Sequence, residues 1–107
     1  MDTQLVVVST QSETIKSGIY VPKAWTPNNS GKNDKLRPMC VNIATLEYFR
    51  VFNRWGQLMF ETRVIGSGWD GMYKGKPQVS DVYTWTVEAE GMDGKHYMKA
   101  GNSILLR

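Results

Sequence analysis

The sequence predicts an all-β domain, a β-sandwich first and a small barrel second. Three observations carry this prediction. Short runs rich in aromatic and β-branched residues recur along the chain. Gly, Pro, Asn and Asp punctuate those runs as turn formers do. Helical periodicity is nearly absent; its best candidate is one or two turns over residues 42–47. About seven short strands on roughly 100 residues suit two packed antiparallel sheets.

The elements follow in order. Residues 1–18 hold Val6-Val7-Val8 and then a polar stretch, and read as a linker or a first strand ahead of a domain over 19–107. Tyr48-Phe49-Arg50-Val51-Phe52 and Leu58-Met59-Phe60-Glu61-Thr62-Arg63-Val64 form a predicted hairpin whose turn places Gly56 at positive φ. Residues 82–90 are the clearest strand: Tyr83, Trp85, Val87 and Ala89 share one face, and Thr84, Thr86, Glu88 and Glu90 the other. Met92-Asp93-Gly94-Lys95 predicts a type I′ hairpin turn. His96-Tyr97-Met98-Lys99-Ala100 pairs back, and Asn102-Ser103-Ile104-Leu105-Leu106 forms a separate terminal strand after Gly101.

Composition narrows the function. The chain has 107 residues, 41% hydrophobic and 21% charged, as an ordinary single globular domain has. With one Cys (Cys40) and one His (His96), no intramolecular disulfide and no Cys/His zinc cage can form. Cys40 reads as a small buried hydrophobe and His96 as an exposed strand residue. Glu88 and Glu90 share a strand face, the spacing a carboxylate pair would need, but they read as solvated. No enzyme, metal or cofactor is predicted. The net charge is +3, with 13 basic and 10 acidic residues. No run of five or six like charges occurs, so the basic balance reads as a solvated surface and predicts no nucleic-acid partner. The longest apolar stretches have three or four residues, far below a membrane helix, and the N-terminus lacks the pattern of a signal peptide.

Three loops carry candidate chemistry. Asn28-Asn29-Ser30-Gly31-Lys32-Asn33-Asp34 alternates oxygen-bearing side chains, but its one carboxylate favours a self-capped turn over a calcium loop. Arg54-Trp55-Gly56 sets a cation beside an indole, as a packed pair or a binding spot. Gly68-Trp69-Asp70-Gly71 with Tyr73-Lys74-Gly75-Lys76-Pro77 reads as a tight turn with an anchored indole, and the phosphate-loop pattern is missing.

These segments, in order, form a larger pattern. Val21-Pro22-Lys23-Ala24-Trp25-Thr26-Pro27-Asn28 opens it. Asn33-Asp34, Phe52-Asn53-Arg54-Trp55-Gly56, Phe60-Glu61, Gly68-Trp69-Asp70-Gly71, Tyr73-Lys74-Gly75-Lys76-Pro77, Val82-Tyr83 and Lys99-Ala100-Gly101-Asn102 follow. Together they resemble the gliding-motility-associated C-terminal domain, the type B sorting domain on cargo of the type IX secretion system of Bacteroidetes. One departure lies in the first loop, where Asn29-Ser30-Gly31 stands in place of the family's Gly-Asp-Gly.

The resemblance implies an immunoglobulin-like antiparallel β-sandwich of about seven strands. It implies a non-catalytic address on a large exported protein, often a surface adhesin. That protein would cross the periplasm and outer membrane to the cell surface with a PorP/SprF-type partner. On this reading the partner-binding candidates are Arg54, Trp55, Gly56, Trp69, Asp70, Gly71, Lys74 and Gly75 in the loops, and Ile104, Leu105, Leu106 and Arg107 in the terminal segment. Trp and Arg are favoured interface anchors, and an apolar terminal strand suits edge docking. A carbohydrate-binding β-sandwich is the alternative; it requires two or more exposed, coplanar indoles among the four Trp residues.

Overall fold

A computed structural model describes residues 17–28 and 34–107. Nine strands and no helix occur among these residues. They are β1 (Gly18–Tyr20), β2 (Ala24–Trp25), β3 (Met39–Val41), β4 (Ile43–Phe52) and β5 (Leu58–Thr62), followed by β6 (Met72–Tyr73), β7 (Lys76–Pro77), β8 (Asp81–Gly91) and β9 (His96–Leu105). A five-stranded sheet runs in the order β2-β9-β8-β4-β5. All its neighbours are antiparallel except β2 and β9. Two ribbons, β1-β3 and β6-β7, complete the structure. The all-β class holds. What packs on the large sheet is these short ribbons and connecting loops rather than a second sheet of equal size. Val6-Val7-Val8 falls outside the described residues.

The alternation along β8 sets the inner face. Tyr83, Trp85, Val87 and Ala89 are buried, while Val82, Thr84 and Glu90 face water. From β9, Gly101, Ser103 and Leu105 join the inner face opposite Trp85, Tyr83 and Asp81. The core is completed by Ile19, Trp25, Leu36, Phe49, Val51 and Trp69, all almost fully buried. The buried Ser103 hydroxyl is satisfied: Trp85 Nε1 donates to Ser103 Oγ at 3.0 Å, and Ser103 Oγ donates to the Pro22 carbonyl.

The structure corrects three local expectations. Residues 42–47 form no helix; Ile43 opens β4. Ile43, Leu46 and Phe49 are all buried at a spacing of three, which mimics a helical stripe. Two register shifts, between Ile43/Thr45 and Leu46/Tyr48, produce that spacing in a strand. The predicted break at Gly101 is also absent, and β9 runs unbroken through it. Gly101 lies opposite Trp85, and a Cβ there would come within 2.7 Å of Trp85 Cζ2, so the glycine makes room for an indole rather than a turn.

Turn chemistry is the third correction. The β8–β9 loop closes with Gly94 N–H donating to Gly91 O and Gly91 N–H donating to Lys95 O, and only Gly94 has positive φ. That is a three-residue loop with a glycine bulge, not a type I′ turn. The β4–β5 loop repeats it with Gly56 at φ 81°, as expected for that glycine. Type I′ geometry falls instead at Lys74-Gly75, where both central residues of the β6–β7 turn have positive φ.

Candidate recognition site

Strand pairing gathers loops that are distant in sequence. Phe52 lies opposite Thr84 and Asp81 opposite Leu105, while Trp25 runs parallel beside Leu105. The β4–β5 loop, the start of β8, the end of β9 and the segment after β2 therefore meet at one end of the sheet. The β6–β7 ribbon is tied to the same end by Gln57 Nε2, which donates to Tyr73 Oη at 3.2 Å. We call this end the motif pole. The opposite pole holds Asn42, Gly91 and the Asp93-Gly94 turn. Ser17 Oγ donates to the Asn42 carbonyl there, so the first described residue lies at that far end. The ten residues of β9 separate the poles by about 33 Å.

All twelve partner-binding candidates lie at or just beneath the motif pole, in two layers. The lower layer is aromatic. Trp69 packs tilted against Trp25 and edge-to-face against Tyr83, at ring-centroid distances of 5.6 Å and 5.0 Å. Its backbone exchanges hydrogen bonds with Leu36, and its Nε1 donates to the Met72 carbonyl at 2.8 Å. Trp69 and Leu105 are thus inside the fold, 1% and 0% exposed, and support the surface rather than form it. Gly71 is buried beside them. Tyr83 donates to the Val79 carbonyl at 2.9 Å, and burial pushes its pKa up.

The upper layer is exposed. Trp55 is 83% exposed at the tip of the β4–β5 loop, which Asn53 Oδ1 fixes by accepting from the Trp55 and Gln57 amides, each at 2.9 Å. Arg54 lies 5.8 Å from the indole centroid and 3.6 Å from Asp81 Oδ2. Ile104 lies opposite Val82 on the outer face; both are exposed, as is Leu106. Asp70 Oδ1 accepts from the Met72 amide, capping the turn that leads to Lys74-Gly75. Arg107 is held rather than loose. Its side chain donates to the Gly71 carbonyl at 2.8 Å and to the Gln78 carbonyl, and its amide donates to Ser80 Oγ at 3.0 Å.

Of the first loop, residues 29–33 lie outside the described residues. Asp34 Oδ1 accepts from the Asn28 amide at 3.3 Å, as in a self-capped turn. Among the described residues, no cluster of three or more His, Cys, Asp or Glu side chains is placed to hold a metal. Glu88 is engaged on the outer face: its Oε2 lies 2.6 Å from His96 Nε2, and its hydrogen bond with Tyr48 raises the tyrosine's pKa. Half-buried Cys40 packs against the core from β3, and burial raises its thiol pKa.

Residues 19–104 match the family model described as the CHU_C type IX secretion signal domain. The chain belongs to that family. The CHU_C match spans the motif pole, from the segment containing Trp25 to Ile104. No curated protein and no solved structure matched the chain. The chain is therefore a type IX secretion signal domain of a non-enzymatic family. A CHU_C signal engages the secretion machinery and marks its cargo for export to the outer membrane and surface. The carbohydrate alternative loses its platform: Trp25, Trp69 and Trp85 are buried, and only Trp55 presents an indole to solvent.

Sequence reasoning missed the Arg107 anchor and the hydrogen bond between Gln57 and Tyr73, because each joins segments with no local signal. The positive φ of Lys74 was readable in principle, since Lys74-Gly75 is a two-residue loop between short extended segments.

Proposed function

We propose that the motif pole is the surface through which this signal domain is recognised, and that its partner is an outer-membrane protein of the PorP/SprF type. The cargo is then a large exported protein, a surface adhesin being the type the resemblance implies, that passes through the periplasm and outer membrane. One observation carries this reading: the pattern's segments at residues 25–28, 52–56, 68–71 and 82–83 converge on the pole opposite Ser17. Cargo joined ahead of Ser17 would leave that pole unobstructed. The exposed layer combines an indole, apolar side chains and cations, a composition suited to protein recognition.

The strand order also supports the immunoglobulin-like reading. The β9-β8-β4 core with β5 added at its edge parallels the GFC sheet with its extra strand. The chain crosses from the β1-β3 ribbon to the large sheet at β2, which links two layers.

Export of a reporter fused ahead of the chain tests the proposal. Trp55→Ala with Ile104→Ser is expected to abolish surface delivery while leaving the melting temperature nearly unchanged. Normal delivery by the folded double variant would overturn it.

A further inference from the structure

Six basic residues that are scattered in sequence stand together in space. Around the motif pole stand Lys23, Lys35, Arg54, Lys74, Lys76 and Arg107. Lys23 O accepts from the Ile104 amide; Lys35 and Arg107 line one cavity of about 260 Å³ with Asp34 and Asp70; Lys74 and Lys76 lie on the β6–β7 ribbon. Three carboxylates share the pole, and each is engaged. Asp81 pairs with Arg54, Asp70 accepts from Met72 and Asp34 accepts from Asn28. Lys23, Lys35, Lys74 and Lys76 make no ion pair among the described residues. The rest of the sheet is nearly balanced: Glu47, Glu61, Glu88, Glu90 and Asp93 stand against Arg50, Arg63, Lys95 and Lys99, and Arg50 pairs with Glu61.

The same pole exposes Trp55, Ile104, Val82 and Leu106, with Arg54 5.8 Å from the Trp55 indole and Lys74 5.4 Å from the Tyr73 ring. We infer that the pole docks an acidic polypeptide segment of its partner, with carboxylates meeting Lys74, Lys76 and Lys35 around a contact on Trp55. The inference rests on the pole being the recognition surface and adds the chemistry of what it recognises. Charge complementarity of this kind raises the encounter rate and rejects basic or neutral partners.

The full chain supplies its own probe. Trp55 is the one solvent-exposed indole, so its emission reports binding at the pole. Titration uses a short polyglutamate peptide, a neutral glutamine-serine peptide of equal length, and phosphatidylglycerol-containing vesicles. The polyglutamate peptide is expected to bind most tightly, and raising the salt from about 50 to about 500 mM should weaken it strongly. Lys74→Glu with Lys76→Glu should weaken it by about tenfold or more, as should Lys35→Glu with Lys76→Glu, whereas Lys95→Glu on the far pole should leave it unchanged. Equal binding of the neutral peptide, tighter binding of the vesicles, or indifference to the pole reversals would overturn the inference. Reporter export separates the two levels. If Trp55→Ala with Ile104→Ser blocks export while Lys74→Glu with Lys76→Glu exports normally, the pole stands and the acidic partner falls. If neither pair affects export, both fall.

Discussion

Two adjacent residues near the end of the chain, Ile104 and Leu105, should respond in opposite ways to the same change. Both are apolar and lie in β9, but the strand turns them to opposite faces. Leu105 is fully buried beside Trp25 and Gly71, whereas Ile104 is 44% exposed on the outer face. Leu105→Ala removes buried methyl groups and leaves a cavity, at a cost of about 2–5 kcal/mol. In a domain of this size, about 3 kcal/mol lowers Tm by roughly 12–24 °C. Ile104→Ala loses only part of its apolar contact and should cost about 1 kcal/mol or less. Thermal unfolding followed by circular dichroism measures both. Export should show the reverse order once folding is accounted for: a folded Ile104 variant loses delivery, and Leu105→Ala loses it only as far as it unfolds. Equal Tm losses would refute the face assignment of β9. A simple truncation of residues 104–107 mixes the two effects, because it removes a core side chain and the Arg107 anchor together with the exposed surface.

Three further outcomes follow from the packing. Gly101→Ala places a Cβ about 2.7 Å from Trp85 Cζ2 and should destabilise by about 1–3 kcal/mol, read by urea denaturation. Cys40 should react with iodoacetamide well below the rate of a free thiol at pH 8 and speed up in denaturant, because burial raises its pKa and covers half of it. The Asp93 carboxyl is held below its ordinary pKa, first by the Lys95 amide and then by the Tyr97 hydroxyl. A carboxyl depressed in the folded state stabilises above its unfolded pKa and loses that contribution as pH falls through the folded value. Stability should therefore drop on acidification below about pH 4, and Asp93→Asn should show a smaller drop over that window.

The fold was legible wherever local chemistry is enough. The alternation in β8 assigns its inner face without tertiary information, and the hairpin glycines announce their turns. It was illegible where tertiary contact overrides local pattern. Ile43, Leu46 and Phe49 keep a helix-like spacing because bulges in β4 shift the register, and only the partner strand β8 reveals that. Gly101 looks like punctuation, yet it answers the bulk of Trp85 across the ladder.

The candidate site divides in the same way. Its motifs can be read one by one, but nothing in the sequence says that Trp69 and Leu105 are buried supports while Trp55 and Ile104 are exposed. Nor does a scattered set of lysines reveal that pairing gathers them at one pole. The net charge of +3 reads in sequence as a solvated surface, and only the fold places Lys23, Lys35, Lys74 and Lys76 at the same end.

Site-specific photocrosslinking in secreting cells tests the central claim most directly. A crosslinking amino acid replaces Trp55 at the motif pole or Lys95 at the far pole, 40 residues apart in sequence and about 33 Å apart along the sheet. The prediction is an adduct with an outer-membrane secretion component from position 55 and none from position 95. Adducts with that component from position 95 alone would contradict it.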